Sequence, residues 1–244
     1  MSANSPWHFE KVTPKKVSDF IFEQLEEAII LKELMSDEQI PSERELSVIF
    51  SASRLAVREA LAQLEALGLV EKRVGAKGGT FVLPLTLNSH RRNREEIAKN
   101  WEVMLKIFEF RAVIEPEAAF LAAERMTDEE LKQLQEYIEA SMNPDCSREV
   151  FRALDVKIHL SIAQASGNPY LGKAIRQIRT KINPALDLMP FSAHVRSVNN
   201  QEHEALFLAL SSHDGLKSRE LMKQHISMSA EAIYSRVFKE HDDI

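Results

Sequence analysis

Glycine is scarce in this chain, at seven of 244 residues, as are tyrosine, at three, and tryptophan, at two. So few turn formers and strand-favouring aromatics exclude a large β-sandwich of many tight hairpins, which leaves helix as the dominant element. The one cysteine, Cys146, excludes an internal disulfide and agrees with a reducing compartment. No stretch approaches the roughly 18 consecutive apolar residues of a membrane span. Residues Met1 to Glu10 have no apolar core of the kind a secretory signal needs, so the expected location is cytoplasmic, with no membrane partner. Positive charge is short as well: 31 Lys+Arg against 37 Asp+Glu leaves a net −6. An acidic total ordinarily argues against nucleic acid, so any DNA-binding surface here must be a local patch. What is present is 44% hydrophobic and 28% charged residues, enough to bury a substantial core.

Between 14 and 32, Val17, Phe20, Ile21, Leu25, Ala28 and Ile29 recur at three- and four-residue spacing and predict an amphipathic helix. Ser42 with Glu45 forms a capping box after Pro41, with Leu46, Ile49 and Phe50 as the inner face of a short second helix. Ser53 caps a third helix through Val57, Leu61, Leu64 and Leu67, and Gly68 stops it. The period then changes, and Leu69-Val70 and Thr80-Phe81-Val82 read as two strands joined by Gly75-Ala76-Lys77-Gly78-Gly79. This order predicts a winged helix-turn-helix over 9–83. Residues 84–93, with Pro84 and the basic group His90, Arg91 and Arg92, read as a linker. Beyond it, 94–240 reads as an all-α bundle with helices near 95–125, 128–142, 148–166, 169–188, 198–212 and 215–238. The fold class is mainly α, with a small β-hairpin wing.

In a helix-turn-helix the second helix of the pair enters the major groove. Arg54 and Arg58 share one face of that helix, and arginine there forks onto a guanine edge or a phosphate. Arg44 and the hydroxyl of Ser53 are placed to touch the backbone of double-stranded DNA, and Lys77 at the hairpin tip is placed to enter a minor groove. The competing reading is a solvated face with local ion pairs to Glu43, Glu45 and Glu59. Six basic residues against five acidic over 41–82 do not separate the two.

The runs Pro41-Ser42-Glu43-Arg44-Glu45-Leu46, Ser53 to Leu61, Leu64 to Val70 and Gly79 to Val82 resemble the DNA-binding domain of the GntR family of bacterial transcription regulators. That resemblance implies that Arg44, Arg54 and Arg58 contact an operator and that Gly78 belongs to the wing. The sequence departs from the family where Lys32 and Asp37 stand at positions that are usually glycine.

In the bundle, Asp155 and His159 are four apart and project to one side of a helix. His203 and His225 flank the break Ser211 to Gly215, each roughly 12 to 15 Å along its helix from the turn, so they come level on antiparallel neighbours. One oxygen and three nitrogens suit a divalent Zn, Ni, Mn or Fe ion. Taken singly, each histidine reads equally as a hydrogen-bonded core residue. Phe110 to Ala119, Asp155 to His159, Ser166-Gly167-Asn168-Pro169, His203 and His225 resemble the effector domain of the FadR subgroup, known as FCD. Members with this ligand set resemble metal-binding sensors of small carboxylates, which implies a small organic acid effector. Arg111 is then placed either to pair with the effector's carboxylate or to form an ion pair with Glu115. Three functions follow: a homodimeric metabolite-responsive repressor, a regulator sensing the metal itself, or a metal-dependent hydrolase-like enzyme. The enzyme reading is the weaker, because no HExxH or GxSxG motif accompanies the cluster.

Overall fold

The structure, a computed structural model, describes residues 14–75, 78–85 and 87–239. The chain divides into two units: residues up to Glu26 with Gln39–Leu83, and Glu27–Glu38 with Pro84 onward. The outer limits predicted for the two domains, 9 and 240, lie outside the described residues, as does Lys77.

The first unit carries most of α1 (Val17–Ile30), then β1 (Gln39–Ile40), α2 (Glu43–Ile49), α3 (Arg54–Ala66), β2 (Val70–Arg73) and β3 (Gly79–Val82). The Ser42–Glu45 capping box forms as its residue types require: the Ser42 amide donates to the Glu45 carboxylate at 2.8 Å, and the Glu45 amide donates to the Ser42 hydroxyl at 3.3 Å. Gly68 takes φ 68°, and the amides of Gly68 and Leu69 close a Schellman motif onto Glu65 and Leu64. Val57, Leu61, Leu64, Val70 and Val82 are buried, so helix and sheet share one core. Ile49, expected inside, is 63% exposed, because seven-residue α2 turns only Leu46 inward. Val17 and Phe20 are likewise exposed. The antiparallel sheet has the order β1-β3-β2, with Val70 opposite Val82. Two-residue β1 carries no periodicity of its own and exists by pairing with β3, so sequence spacing does not announce it.

The second unit holds α4 (Leu87–Lys99), α5 (Trp101–Arg125), α6 (Asp128–Met142), α7 (Arg148–Ala165), α8 (Pro169–Leu186), α9 (Ala193–Ser211), α10 (Gly215–Ser227) and α11 (Ser229–Tyr234), followed by a π-turn at Ser235–Lys239. The stretch predicted as a linker is therefore helical from Leu87. Packing overrides its polar composition: Ile97 is buried with Ile233 and Val237, and the Arg94 Nε donates to the Val237 carbonyl at 2.9 Å. At Asn100 the helix predicted from 95 to 125 breaks, where the Asn100 side chain donates to the Glu96 carbonyl at 3.0 Å and competes with the helical ladder. Ser192 caps α9 five residues before the expected start, and the predicted last helix breaks at Met228. Ala118, Ala119, Ala122 and Ala123 let the neighbouring helices approach α5 closely, and a methyl on Gly215 would meet the Phe120 ring at 2.8 Å. Leu134, Ile158, Ile162, Leu206, Leu210 and Met222 fill the surrounding core. Each such side chain contributes roughly 1.5 to 3 kcal/mol by leaving water.

Candidate metal centre and operator-reading face

Helix α7 presents Asp155 and His159, α9 presents His203, and α10 presents His225. The turn between α9 and α10 brings the last two level, as their spacing predicts. One ligand atom from each of the four residues lies within 4.8 Å of the others. His159 Nε2 is 3.2 Å from His225 Nε2, and the Asp155 Oδ1 is 3.7 Å from His203 Nε2 and 3.9 Å from His159 Nε2. Four ligands at about 2.05 Å around a tetrahedral ion stand about 3.3 Å apart, so small rotamer shifts would close this set.

The outer hydrogen bonds decide which ring nitrogens face inward. His159 Nδ1 lies 2.6 Å from a Glu115 carboxylate oxygen and His225 Nδ1 lies 2.7 Å from one of Glu202. A neutral imidazole donates from one nitrogen only, so the proton sits on Nδ1 in both rings and the two Nε2 lone pairs point at each other. Burial holds His159 down at about 4 and His203 well below the usual histidine range, so both are neutral at pH 7. Burial raises the carboxyls of Glu115 and Asp155, but Arg111 beside Glu115 and Arg179 beside Asp155 outweigh it, and both stay ionised. His203 is 1% exposed and neither of its ring nitrogens has a partner. Three lone pairs and a carboxylate facing one point repel one another unless a cation stands there, and leaving a buried donor or acceptor unpaired costs about 1 to 3 kcal/mol. The donor set fits a divalent metal.

Arg111 takes the second of its two readings. Its Nε donates to Glu115 at 2.7 Å and one Nη donates to the Ser229 hydroxyl at 3.3 Å, and it is 3% exposed. It holds the carboxylate that holds His159. The guanidinium that touches the ligand set belongs instead to Arg179, on α8, paired with Asp155 Oδ2. Sequence reasoning did not find Arg179, since nothing in the spacing of α8 announces a partner on α7. Glu202 was legible: it precedes His225 by 23 residues and so comes nearly level with it across the same turn.

On the first unit, Arg44, Arg54 and Arg58 are all exposed. Arg58 donates to Glu43 at 3.0 Å, and Arg54 approaches the same carboxylate at 3.9 Å. The face is thus ion-paired and still open to solvent, and such exposed pairs are weak. The Ser53 hydroxyl accepts the Ala56 amide at 3.2 Å as the cap of α3, with its own proton free to donate outward. Gly78 is required by its loop: a Cβ there would lie 2.7 Å from the Arg73 carbonyl oxygen.

Two family models match the chain: the FCD domain over residues 106–228, and the gntR family of bacterial regulatory proteins over 17–82. The chain belongs to the GntR family of transcription regulators and carries the FCD domain of its FadR-type subgroup. It is 29% identical over 217 residues to the HTH-type transcriptional regulator LutR of Bacillus subtilis, covering 86% of this chain and 97% of that one. It is 28% identical over 227 residues to the HTH-type transcriptional repressor NanR of Escherichia coli, covering 87% and 82%. The solved structure of E. coli McbR/YncC shares the fold, with a TM-score of 0.57, 19% identity and coverage of 91% and 99%. The protein is a transcription regulator and not an enzyme. Among the described residues, no helix is long and apolar enough to cross a membrane.

Proposed function

We propose that the protein is a homodimeric, metabolite-responsive repressor whose operator affinity is set by a small carboxylate bound at a divalent metal. The observation that carries this reading is the pair of Nε2 lone pairs 3.2 Å apart, oriented by Glu115 and Glu202, with Asp155 beside them and His203 unpartnered. Asp155, His159, His203 and His225 hold the ion, and Glu115 and Glu202 fix two of the three rings. A bound divalent ion supplies a fixed positive centre that takes an oxygen of a small organic acid. Both oriented carboxylates are committed to histidines, which leaves the cluster equipped to hold a ligand.

Dimerisation is supported by α5, where Val103, Phe110 and Val113 form an exposed apolar stripe on one face, 60%, 48% and 62% exposed. A two-fold dimer also suits the reading of operator half-sites by Arg44, Arg54 and Arg58. Zinc-loaded and chelator-treated protein, each titrated into operator DNA with and without organic acids that raise its melting temperature, tests the whole reading. Operator affinity that changes only when metal and acid are both present supports it. A change with metal alone favours the ion as the signal, and no change under any condition overturns regulation through this site.

A further inference from the structure

Behind Asp155, on the side away from the histidines' shared point, lies a small cavity lined by Lys32, Arg152, Asp155, Arg179, Asn183 and Asp187. Its polar groups do not balance. Arg152 Nε and Nη2 and Arg179 Nε and Nη1 are sealed from solvent with no acceptor, and Arg179 is 1% exposed. Lys32 is matched by Asp187 at 3.1 Å, and one edge of Arg179 by Asp155. Three cations thus face two carboxylates, leaving one positive charge and four guanidinium donors without an acceptor. Leaving even one buried donor unmade costs about 1 to 3 kcal/mol, and more for a charged group. On Arg152 the two open atoms, Nε and Nη2, are the pair of donors that form one fork, the arrangement a carboxylate accepts with both oxygens.

We propose that this cavity is an anion seat in which Arg152 and Arg179, and not Arg111, take the carboxylate of the effector acid. The inference rests on the effector reading given above and adds the residues that recognise the charge. It also gives the seat a connection to the metal centre. Asp155 offers Oδ1 to the histidines while Oδ2 is drawn to Arg179. A carboxylate that shares Arg179 loosens that hold and leaves Asp155 freer to ligate, so acid and metal strengthen each other's binding by the same factor.

The test is calorimetric titration of zinc-loaded full-length protein with acetate, L-lactate, malonate and inorganic phosphate, on wild type, Arg152→Met and Arg111→Met, with zinc content measured for each. Arg152→Met removes an unpartnered charge at similar volume, so it should keep its zinc and its melting temperature while losing at least about tenfold in affinity for the acid that wild type binds. In wild type, that acid should tighten zinc by the factor by which zinc tightens the acid. Acid binding by Arg152→Met equal to wild type overturns the inference and leaves the effector reading standing. Absence of binding by every probe to wild type overturns both. Phosphate bound as tightly as the carboxylates, and lost in Arg152→Met, overturns carboxylate as the ligand of the seat.

Discussion

On α3, Arg54 and Arg58 stand with side chains 63% and 57% exposed and share one carboxylate, Glu43. Inside the bundle, Arg111, Glu115, Asp155, His159, Arg179 and His203 are all 6% exposed or less, and each charged group there has a named counter-charge. Water screens the first set and cannot reach the second. An exposed arginine therefore keeps several partners open and yields cheaply to a phosphate or a guanine edge, whereas a buried histidine is committed by whatever its second nitrogen meets. Function at the operator face is written in residue type and position. In the bundle it is written in which atom faces which.

The largest expected effect tests that commitment. His203→Ala should reduce bound metal from about one per chain to under about a tenth, because three remaining ligands hold an ion poorly. Elemental analysis after dialysis reads this directly, and full retention would show that His203 is only a core residue. Next in size, Glu115→Gln should weaken zinc about 10- to 100-fold, the usual cost of losing a carboxylate that orients a ligating imidazole. Competition against a chromogenic chelator measures it. Unchanged affinity would reduce Glu115 to a counter-ion for Arg111. Arg54→Ala belongs to the open face and should cost operator affinity about tenfold without moving the melting temperature. A gel shift paired with a thermal melt separates the two, and a fall in stability with DNA affinity intact would break the contrast between the regions.

Much of this was legible because it depends on local spacing. The capping boxes at Ser42 and Thr127, the shared face of Arg54 and Arg58, and the i, i+4 pair Asp155/His159 follow from helix geometry alone. His203 and His225 followed from equal distances to one turn. What spacing could not supply is contact between elements far apart in sequence. Arg179 meets Asp155 only because α8 packs on α7, and α4 is helical because Ile97 finds Ile233 and Val237. Arg111 lies between these cases: its i, i+4 partner Glu115 was one of two readings, and burial of both side chains decides for it, since a guanidinium 3% exposed with a carboxylate at 2.7 Å has little left for a ligand.

The smallest effect concerns two residues that share a backbone conformation and differ in surroundings. Lys32 and Asp37 take φ of 58° and 63°, in the left-handed region where glycine is at ease and other residues are strained by roughly 1 kcal/mol or more. Both stand where the family usually has glycine. Replacing either with glycine relieves the strain, at some cost in unfolded-state entropy. Lys32 is buried and pairs with buried Asp187, so Lys32→Gly removes one partner of a buried ion pair and should be destabilising by about 2 kcal/mol or more after the relief is counted. Asp37 is exposed, and its carboxylate has water to fall back on. Asp37→Gly should therefore change stability by no more than about 1 kcal/mol, in the stabilising direction. Chemical denaturation of the two variants side by side measures the difference. Equal shifts in both would mean that burial of the Lys32–Asp187 pair adds nothing, and the contrast between screened and unscreened charge would fail where the backbone is the same.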